Sequence, residues 1–252
     1  MNIQEVESGH EPVVLVTGAA RRIGAAIAEC LHSAGCRIVV HCHYSFVEAE
    51  RLCSSLNRLR PDSACCLRAN LLDLKELERL AEESLKLWGR LDGLVNNASS
   101  FYPTRFSEAD GRVWDELMGI NLRAPYFLSK TLMPALQRAG GAIVNIADVY
   151  GDRPLEGYSI YSITKTGLIG LTKALALELA PGVRVNAVSP GAILWHEHPT
   201  TEEERRRVLD RIPLGRLGAP EDIARAVRYL LLDATYVTGQ IHPVDGGRML
   251  TI

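Results

Sequence analysis

No apolar run in this chain approaches the roughly 20 residues that a bilayer-crossing helix needs. Nor does one sign of charge dominate, because 28 Lys and Arg stand against 30 Asp and Glu, a net charge of −2. The first lack argues against a membrane partner, and the second against a global attraction to nucleic acid or anionic lipid. No Pro/Gly/Ser-rich linker or long charge run divides the 252 residues, so a single domain over 1–252 is expected. The opening MNIQEVESGHEP is polar and acidic, lacking the apolar core of a secretory signal and the basic character of a transit peptide. A flexible tail over 1–11 and a cytoplasmic location are the expectations. The six cysteines, Cys30 to Cys66, include no C-x-x-C pair, and adjacent Cys65 and Cys66 make poor chelating geometry. They read as reduced, small apolar residues. His41 and His43 at a strand end, and His196 and His198 in a loop, lack further ligands at convincing spacing, so no metal is expected.

What is present is alternation. Short β-branched runs at 13–17, 37–41, 64–68, 92–96, 142–146, 183–189 and 240–244 are separated by helical patterns at 22–34, 46–59, 74–88, 110–138, 155–180 and 220–232. Continuous apolar strands between helices predict an α/β fold, a Rossmann-like doubly wound parallel sheet of about seven strands with helices on both faces. Residues 190–216 break the rhythm and carry the charged stretch TEEERRRVLDR. A short solvated helix is the plainest account, and its place after a strand end suits a substrate loop or lid.

The first βα junction reads VVLVTGAARRIGAAIAECL. Gly18 and Gly24 allow a sharp turn and close helix packing, and the N–H groups of the helix start then face the crevice, where a pyrophosphate fits. Arg22 at the helix mouth, followed by Ile23, is placed to meet an anion. The end of the second strand reads VVHCHYSF, with no Asp or Glu to bind a ribose 2′-hydroxyl or to repel a 2′-phosphate. His43, Tyr44 and Ser45 can donate hydrogen bonds there, so NADPH is favoured over NADH. A merely polar loop is the other reading. Asn70, in RANLLD, can meet an adenine amine through its amide. Asn97, after the fourth strand in LVNNASSFYP, can line the same crevice or serve a structural turn.

The chemistry concentrates in NIADVYGDRPLEGYSIYSITK, residues 145–165. Tyr161 and Lys165 share a helix face. An ammonium beside a phenol of ordinary pKa about 10 is expected to pull it toward the working range. The same Lys can hold nicotinamide ribose hydroxyls. Asn121 either extends a proton relay through water or satisfies the core. Asp148 stands thirteen residues before Tyr161. It is either a strand-end cap or an acid coupled to the phenol.

Over nearly its whole length the chain resembles the short-chain dehydrogenase/reductase family. The residues that carry the likeness are Gly18 and Gly24, Asn96-Asn97-Ala98, Tyr161 and Lys165, SPGAI at 189–193 and VDGGRML at 244–250. Two departures stand out: Arg22 replaces a glycine, and Asp148 replaces a serine. Together with HCHYS and NNASSFYPT they resemble the pteridine reductase branch. That resemblance implies hydride transfer from NADPH to a dihydropterin, with oxidised pterin or dihydrofolate as further substrates in folate metabolism. It further implies cofactor contacts by Ala98, Ser99, Pro190 and Gly191, and a pterin stacked on Phe101. Ser99 and Arg22 would contact substrate and phosphates, Tyr158 would border the substrate, and the assembly would be a homotetramer. The rival expectations are a carbonyl or 3-oxoacyl reductase of the same fold, and a non-catalytic NADP(H)-binding regulatory protein.

Overall fold

Seven strands hydrogen-bond into one parallel sheet in the computed structural model, which describes residues 11–195 and 201–251. They are β1 (Val13–Val16), β2 (Arg37–Cys42), β3 (Ala64–Arg68), β4 (Gly93–Asn96), β5 (Ala142–Ile146), β6 (Arg184–Pro190) and β7 (Ile241–Val244). The order is β3-β2-β1-β4-β5-β6-β7, so the direction of winding reverses between β1 and β4. In such sheets a crevice opens beyond the carboxyl ends of the two strands at the reversal. The fold is the Rossmann-like α/β architecture that the sequence predicts.

The helices are α1 (Arg22–Ser33), α2 (Phe46–Leu59), α3 (Leu74–Trp88), α4 (Gly111–Met118), α5 (Ala124–Ala139), α6 (Ser159–Glu178), α7 (Glu202–Leu209) and α8 (Pro220–Arg228). Alternation along each strand divides the core in two. Val14, Val16, Ile38 and Val40 pack against Ile27, Leu31 and Val227 on the α1, α2 and α8 side. Val13, Leu15, Val39 and Ile143 pack against Leu80, Leu128 and Leu175 on the α3, α5 and α6 side. Burial on both faces is why the strands read as unbroken apolar runs rather than alternating ones.

Three helices differ from the periodicity. The expected helix over 110–138 is interrupted by a π turn at Gly119–Arg123, because Gly119 lies against Leu72 and Arg123 donates to the Leu72 carbonyl at 2.9 Å. The helix expected from 155 begins at Ser159, because Gly157 takes a left-handed φ of 76° and Tyr158 bridges to Thr104. The last helix passes into a π turn at Tyr229–Asp233, where the Arg184 guanidinium donates to the carbonyls of Leu230 and Leu231 and of Ala234 just after the turn. At the amino end, residues 1–10 lie outside the described residues. Glu11, assigned to the flexible tail, is pinned by Arg37 at 2.6 Å and Arg60 at 3.3 Å.

A chain of buried amides locks α6 to the sheet. Asn96 Nδ2 on β4 donates to Asn145 Oδ1 on β5 at 2.8 Å, and Asn145 Nδ2 donates to Thr172 Oγ1 on α6 at 2.9 Å. Asn145 and Thr172 are fully buried, so a lost partner leaves a polar group with no water to turn to. Asn145→Leu is expected to lower the unfolding free energy by about 1–3 kcal/mol. Exposed Lys130→Ala should stay within about 0.5 kcal/mol of the parent. Urea denaturation of both proteins provides the comparison.

Candidate active site

Above the β1–β4 reversal the backbone is tied by two side chains. Thr17 Oγ1 accepts from the backbone N–H groups of Asn97 at 2.9 Å and Ala98 at 3.0 Å. Asn97 Nδ2 donates back to the carbonyls of Thr17 at 2.9 Å and Gly18 at 3.1 Å. Gly18 holds φ +62°, and a Cβ there would meet Ala98 Cα at 2.9 Å. At Gly24 a Cβ would strike the Gly18 carbonyl and come within 2.6 Å of Asn97 Nδ2. Both glycines are therefore required by close backbone approach, as the turn's sequence implies. Arg22 also adopts a left-handed φ of 55°, where glycine would cost nothing.

His41 adds a tie that the sequence reading missed. Its Nδ1 accepts from Gly18 N–H at 3.1 Å, and its Nε2 lies 3.1 Å from the Ala69 carbonyl. A carbonyl can only accept, so the proton sits on Nε2 and the ring is neutral. Burial agrees, lowering the His41 pKa to about 4. The available signal was a polar residue at a core-facing position of a strand that adjoins a glycine turn.

A cavity of about 600 Å³ opens over this turn, bounded by Gly18, Arg22, His43, Tyr44, Asn70 and Ala98 among others. The start of α1 faces it with no side-chain cap and no acidic residue in its first turn. Those N–H groups and the dipole end favour an anion. The cavity and the uncapped helix start fit the phosphates of a dinucleotide. Ser45 joins the lining, Tyr44 is 84% exposed, and no carboxylate follows β2 before Glu48. Ile23, Asn97 and Ser99 are shared with a second pocket of about 300 Å³, which continues the crevice toward β5 and α6.

That second pocket holds the candidate chemistry. Tyr161 Oη donates to Asp148 Oδ2 at 2.8 Å, while Asp148 Oδ1 accepts from Tyr150 N–H at 2.9 Å. Asp148 therefore both caps the short 3₁₀ turn Val149–Gly151 and faces the phenol. Lys165 Nζ, 5.6 Å from the Tyr161 ring centroid, donates to the Ile146 carbonyl at 2.8 Å. Phe101 meets Tyr161 edge-on at 4.6 Å, and its ring stacks on Tyr158, also at 4.6 Å. Tyr158, expected at the substrate's edge, backs Phe101 instead of lining the pocket, because α6 starts after it. Pro190 and Gly191 form the far wall at the end of β6.

The electrostatics correct one expectation. Tyr161 is held well above the ordinary phenol value, first by burial and then by the Asp148 carboxylate. Lys165 does not bring it down, because the ammonium points at a backbone carbonyl and is itself lowered to about 8 by burial. Burial also raises Asp148, against the opposing pull of the Tyr150 N–H and Lys165. A proton on the Asp148–Tyr161 pair is thus retained rather than released.

Asn121 sits in the π turn with its amide fully engaged. Ser99 Oγ and Ser100 N–H donate to its Oδ1, and its Nδ2 donates to the Ser100 carbonyl and Thr164 Oγ1, at 2.9–3.1 Å. It reaches the Tyr161 backbone through Thr164, whose hydroxyl donates to the Tyr161 carbonyl at 2.7 Å, and the Tyr161 side chain through Ser99. From the loop over 190–216, Leu194, Trp195 and Val208 reach the pocket, and 196–200, with His196 and His198, lie outside the described residues. Among the described residues no metal-binding cluster occurs, and no helix is long and apolar enough to cross a membrane. The six thiols are free, and burial raises the Cys36 pKa to about 12.

Between pH about 8 and 10.5, the folded chain lacks the Lys165 proton that the unfolded chain still binds. Stability therefore rises with pH through this residue across that window. The wild-type unfolding free energy minus that of Lys165→Met should rise by up to about 1.4 kcal/mol per pH unit there. Urea titrations at pH 7.5, 9 and 10.5 test this, and a flat difference contradicts the burial.

A family model described as Enoyl-(Acyl carrier protein) reductase matches residues 18–249. Pteridine reductase 1 of Leishmania tarentolae is 38% identical, covering 95% of this chain and 97% of that protein. A 3-oxoacyl-[acyl-carrier-protein] reductase of Synechocystis is 36% identical over 94% of this chain and 97% of its own length. A putative ketoacyl reductase 2 of granaticin polyketide synthase from Streptomyces violaceoruber is also 36% identical, over 95% of this chain and 96% of its own. The crevice over the glycine turn, the Tyr161–Lys165 pair and these full-length likenesses converge: the chain belongs to the short-chain dehydrogenase/reductase family and is an oxidoreductase.

Proposed function

We propose that this oxidoreductase is an NADPH-dependent pteridine reductase, acting on a dihydropterin and, by extension, on oxidised pterin or dihydrofolate. The observation that carries the reading is the 2.8 Å bond from Tyr161 to Asp148, a carboxyl group where a carbonyl reductase would place a neutral donor. A pterin ring nitrogen needs a proton, and an acid–phenol pair that retains one can deliver it. Phe101 beside Tyr161 presents an aromatic surface on which a flat heterocycle stacks. NADPH, when bound, supplies the hydride to the C=N carbon. Tyr161 gives its proton to the adjacent nitrogen and is reprotonated from solvent, Asp148 holds that proton on the phenol until transfer by accepting its hydrogen bond, and Lys165 holds the ribose hydroxyls. Asn121 orders the Ser99–Ser100 stretch that borders both compartments. Arg22, His43, Tyr44 and Ser45, with no acid beside them, support a 2′-phosphate and hence NADPH over NADH.

A homotetramer goes with this reading. Trp114, Tyr126, Ile163 and Leu177 are exposed on α4, α5 and α6, and such faces need a covering partner. Similar identity to the 3-oxoacyl reductases favours one alternative, ketone reduction on the same scaffold.

Oxidation of NADPH with dihydrobiopterin, dihydromonapterin, dihydrofolate and a ketone panel decides between them. Turnover of at least one pterin, with NADPH preferred over NADH, is the expected result; reduction of ketones alone rejects the assignment. Tyr161→Phe should cost about 10²-fold or more in kcat/KM, the usual scale of a general acid. Asp148→Ser should depress pterin reduction while sparing or raising ketone reduction. Arg22→Gly should keep the fold, by virtue of the left-handed φ, and weaken NADPH binding more than NADH binding.

A further inference from the structure

The C-terminal motif VDGGRML places one charge inside the catalytic pocket that the mechanism above leaves unused. Arg248 is only 6% exposed, yet it lines the pocket with Asp148, Tyr150, Tyr161 and Trp195. Its position is built, not incidental. Asp245 accepts from Gly247 N–H at 2.9 Å and Met249 N–H at 2.7 Å, which fixes the turn around it, and the left-handed Gly246 and Gly247 aim that turn inward.

The guanidinium is poorly partnered for a buried cation. Nη1 donates to the Val208 carbonyl at 3.2 Å and Nη2 to the Tyr150 hydroxyl at 3.3 Å. Both acceptors are neutral, and both distances exceed the roughly 2.7–2.9 Å of a charge-assisted bond. Among the described residues no carboxylate lies within ion-pair distance of it. Burying a charge is costly unless it is paired. A guanidinium carries five N–H donors in a planar fork suited to two adjacent oxygens. Since Tyr150 also bonds Asp148 through its backbone, the fork stands one residue from the acid.

We propose that Arg248 is a specificity-determining residue that binds a pair of adjacent oxygens on the substrate's side chain, a carboxylate or a vicinal diol. The inference rests on the reductase reading and names the substituent that reading leaves open. The ring stacks at Phe101 and Tyr161, and the substituent extends toward α7 and the C-terminal turn. Val208, at the carboxyl end of α7, completes the same corner, so the charged helix takes part in forming the substituent's wall.

Kinetics on three dihydropterins test this: one with a vicinal-diol side chain, one with a 6-carboxylate and one with a 6-methyl group. The wild type is expected to prefer at least one oxygenated substrate over the methyl compound. In Arg248→Met that kcat/KM ratio should fall at least tenfold, and Arg248→Lys, which keeps the charge but loses the fork, should fall in between. A ratio within one protein does not depend on how much of it is folded, so a destabilised variant still answers. The arm whose ratio collapses identifies the oxygen source. If ketones are reduced and pterins are not, the function reading fails, and 3-oxobutanoate against butan-2-one judges Arg248 by the same criterion. A wild type without the preference, or a ratio unchanged in Arg248→Met, overturns the proposal.

Discussion

A parallel sheet covered on both faces must satisfy every backbone group at its carboxyl edge without help from bulk water, and the β1–β4 reversal is where that demand is sharpest. There the strands diverge, and their last carbonyls and the next N–H groups lose ladder partners. Thr17 and Asn97 answer it with four hydrogen bonds across the gap. His41 answers it from the β2 side by accepting from Gly18. These three polar side chains hold the glycine turn rigid, and that rigid turn keeps the crevice open and the α1 start pointed into it. Cofactor geometry is thus a by-product of backbone accounting.

The same logic fixes the candidate catalytic residues. The β5 strand ends at Ile146, whose carbonyl is taken by Lys165 Nζ. Two residues later Asp148 uses one carboxylate oxygen to cap its own turn and the other to accept from Tyr161. Because one group meets a structural need and a chemical one, a serine there would keep the cap while changing the reactivity. The amide chain Asn96–Asn145–Thr172 keeps α6 from sliding, so the 2.8 Å contact is held by helix placement rather than by a flexible loop.

Most of the fold was legible because burial on both faces leaves a strong pattern. The strands were placed to within a residue at each end, and the helices Phe46–Leu59 and Leu74–Trp88 match their expected bounds. The π turns were not legible, because they arise from tertiary contacts of Gly119, Arg123 and Arg184 that no periodicity encodes. Within the site, the glycines, Asn97, Asp148, Tyr161 and Lys165 were found through spacing and motif. The stacking of Tyr158 on Phe101 was not foreseen, because the helix start was set one turn too early. The contacts of Arg248 and His41 were not legible because each is a single polar residue in an otherwise structural stretch, and only the folded chain shows what each one faces.

Burial acts on three of the pocket's ionisable groups, each in the direction of its neutral form: Asp148 upward, Tyr161 upward, Lys165 downward. A site arranged to stabilise phenolate would need the ammonium close to the phenol oxygen, and here it is turned to a carbonyl. The resting protein therefore stores a proton instead of a negative charge. For a reductase, whose product must gain both hydride and proton, that is the useful direction. A substrate entering beside Tyr161 would exclude more water and hold the proton tighter, until an acceptor made basic by hydride addition lay within reach. Timing then follows from desolvation: the proton leaves only when the acceptor has become basic enough to take it.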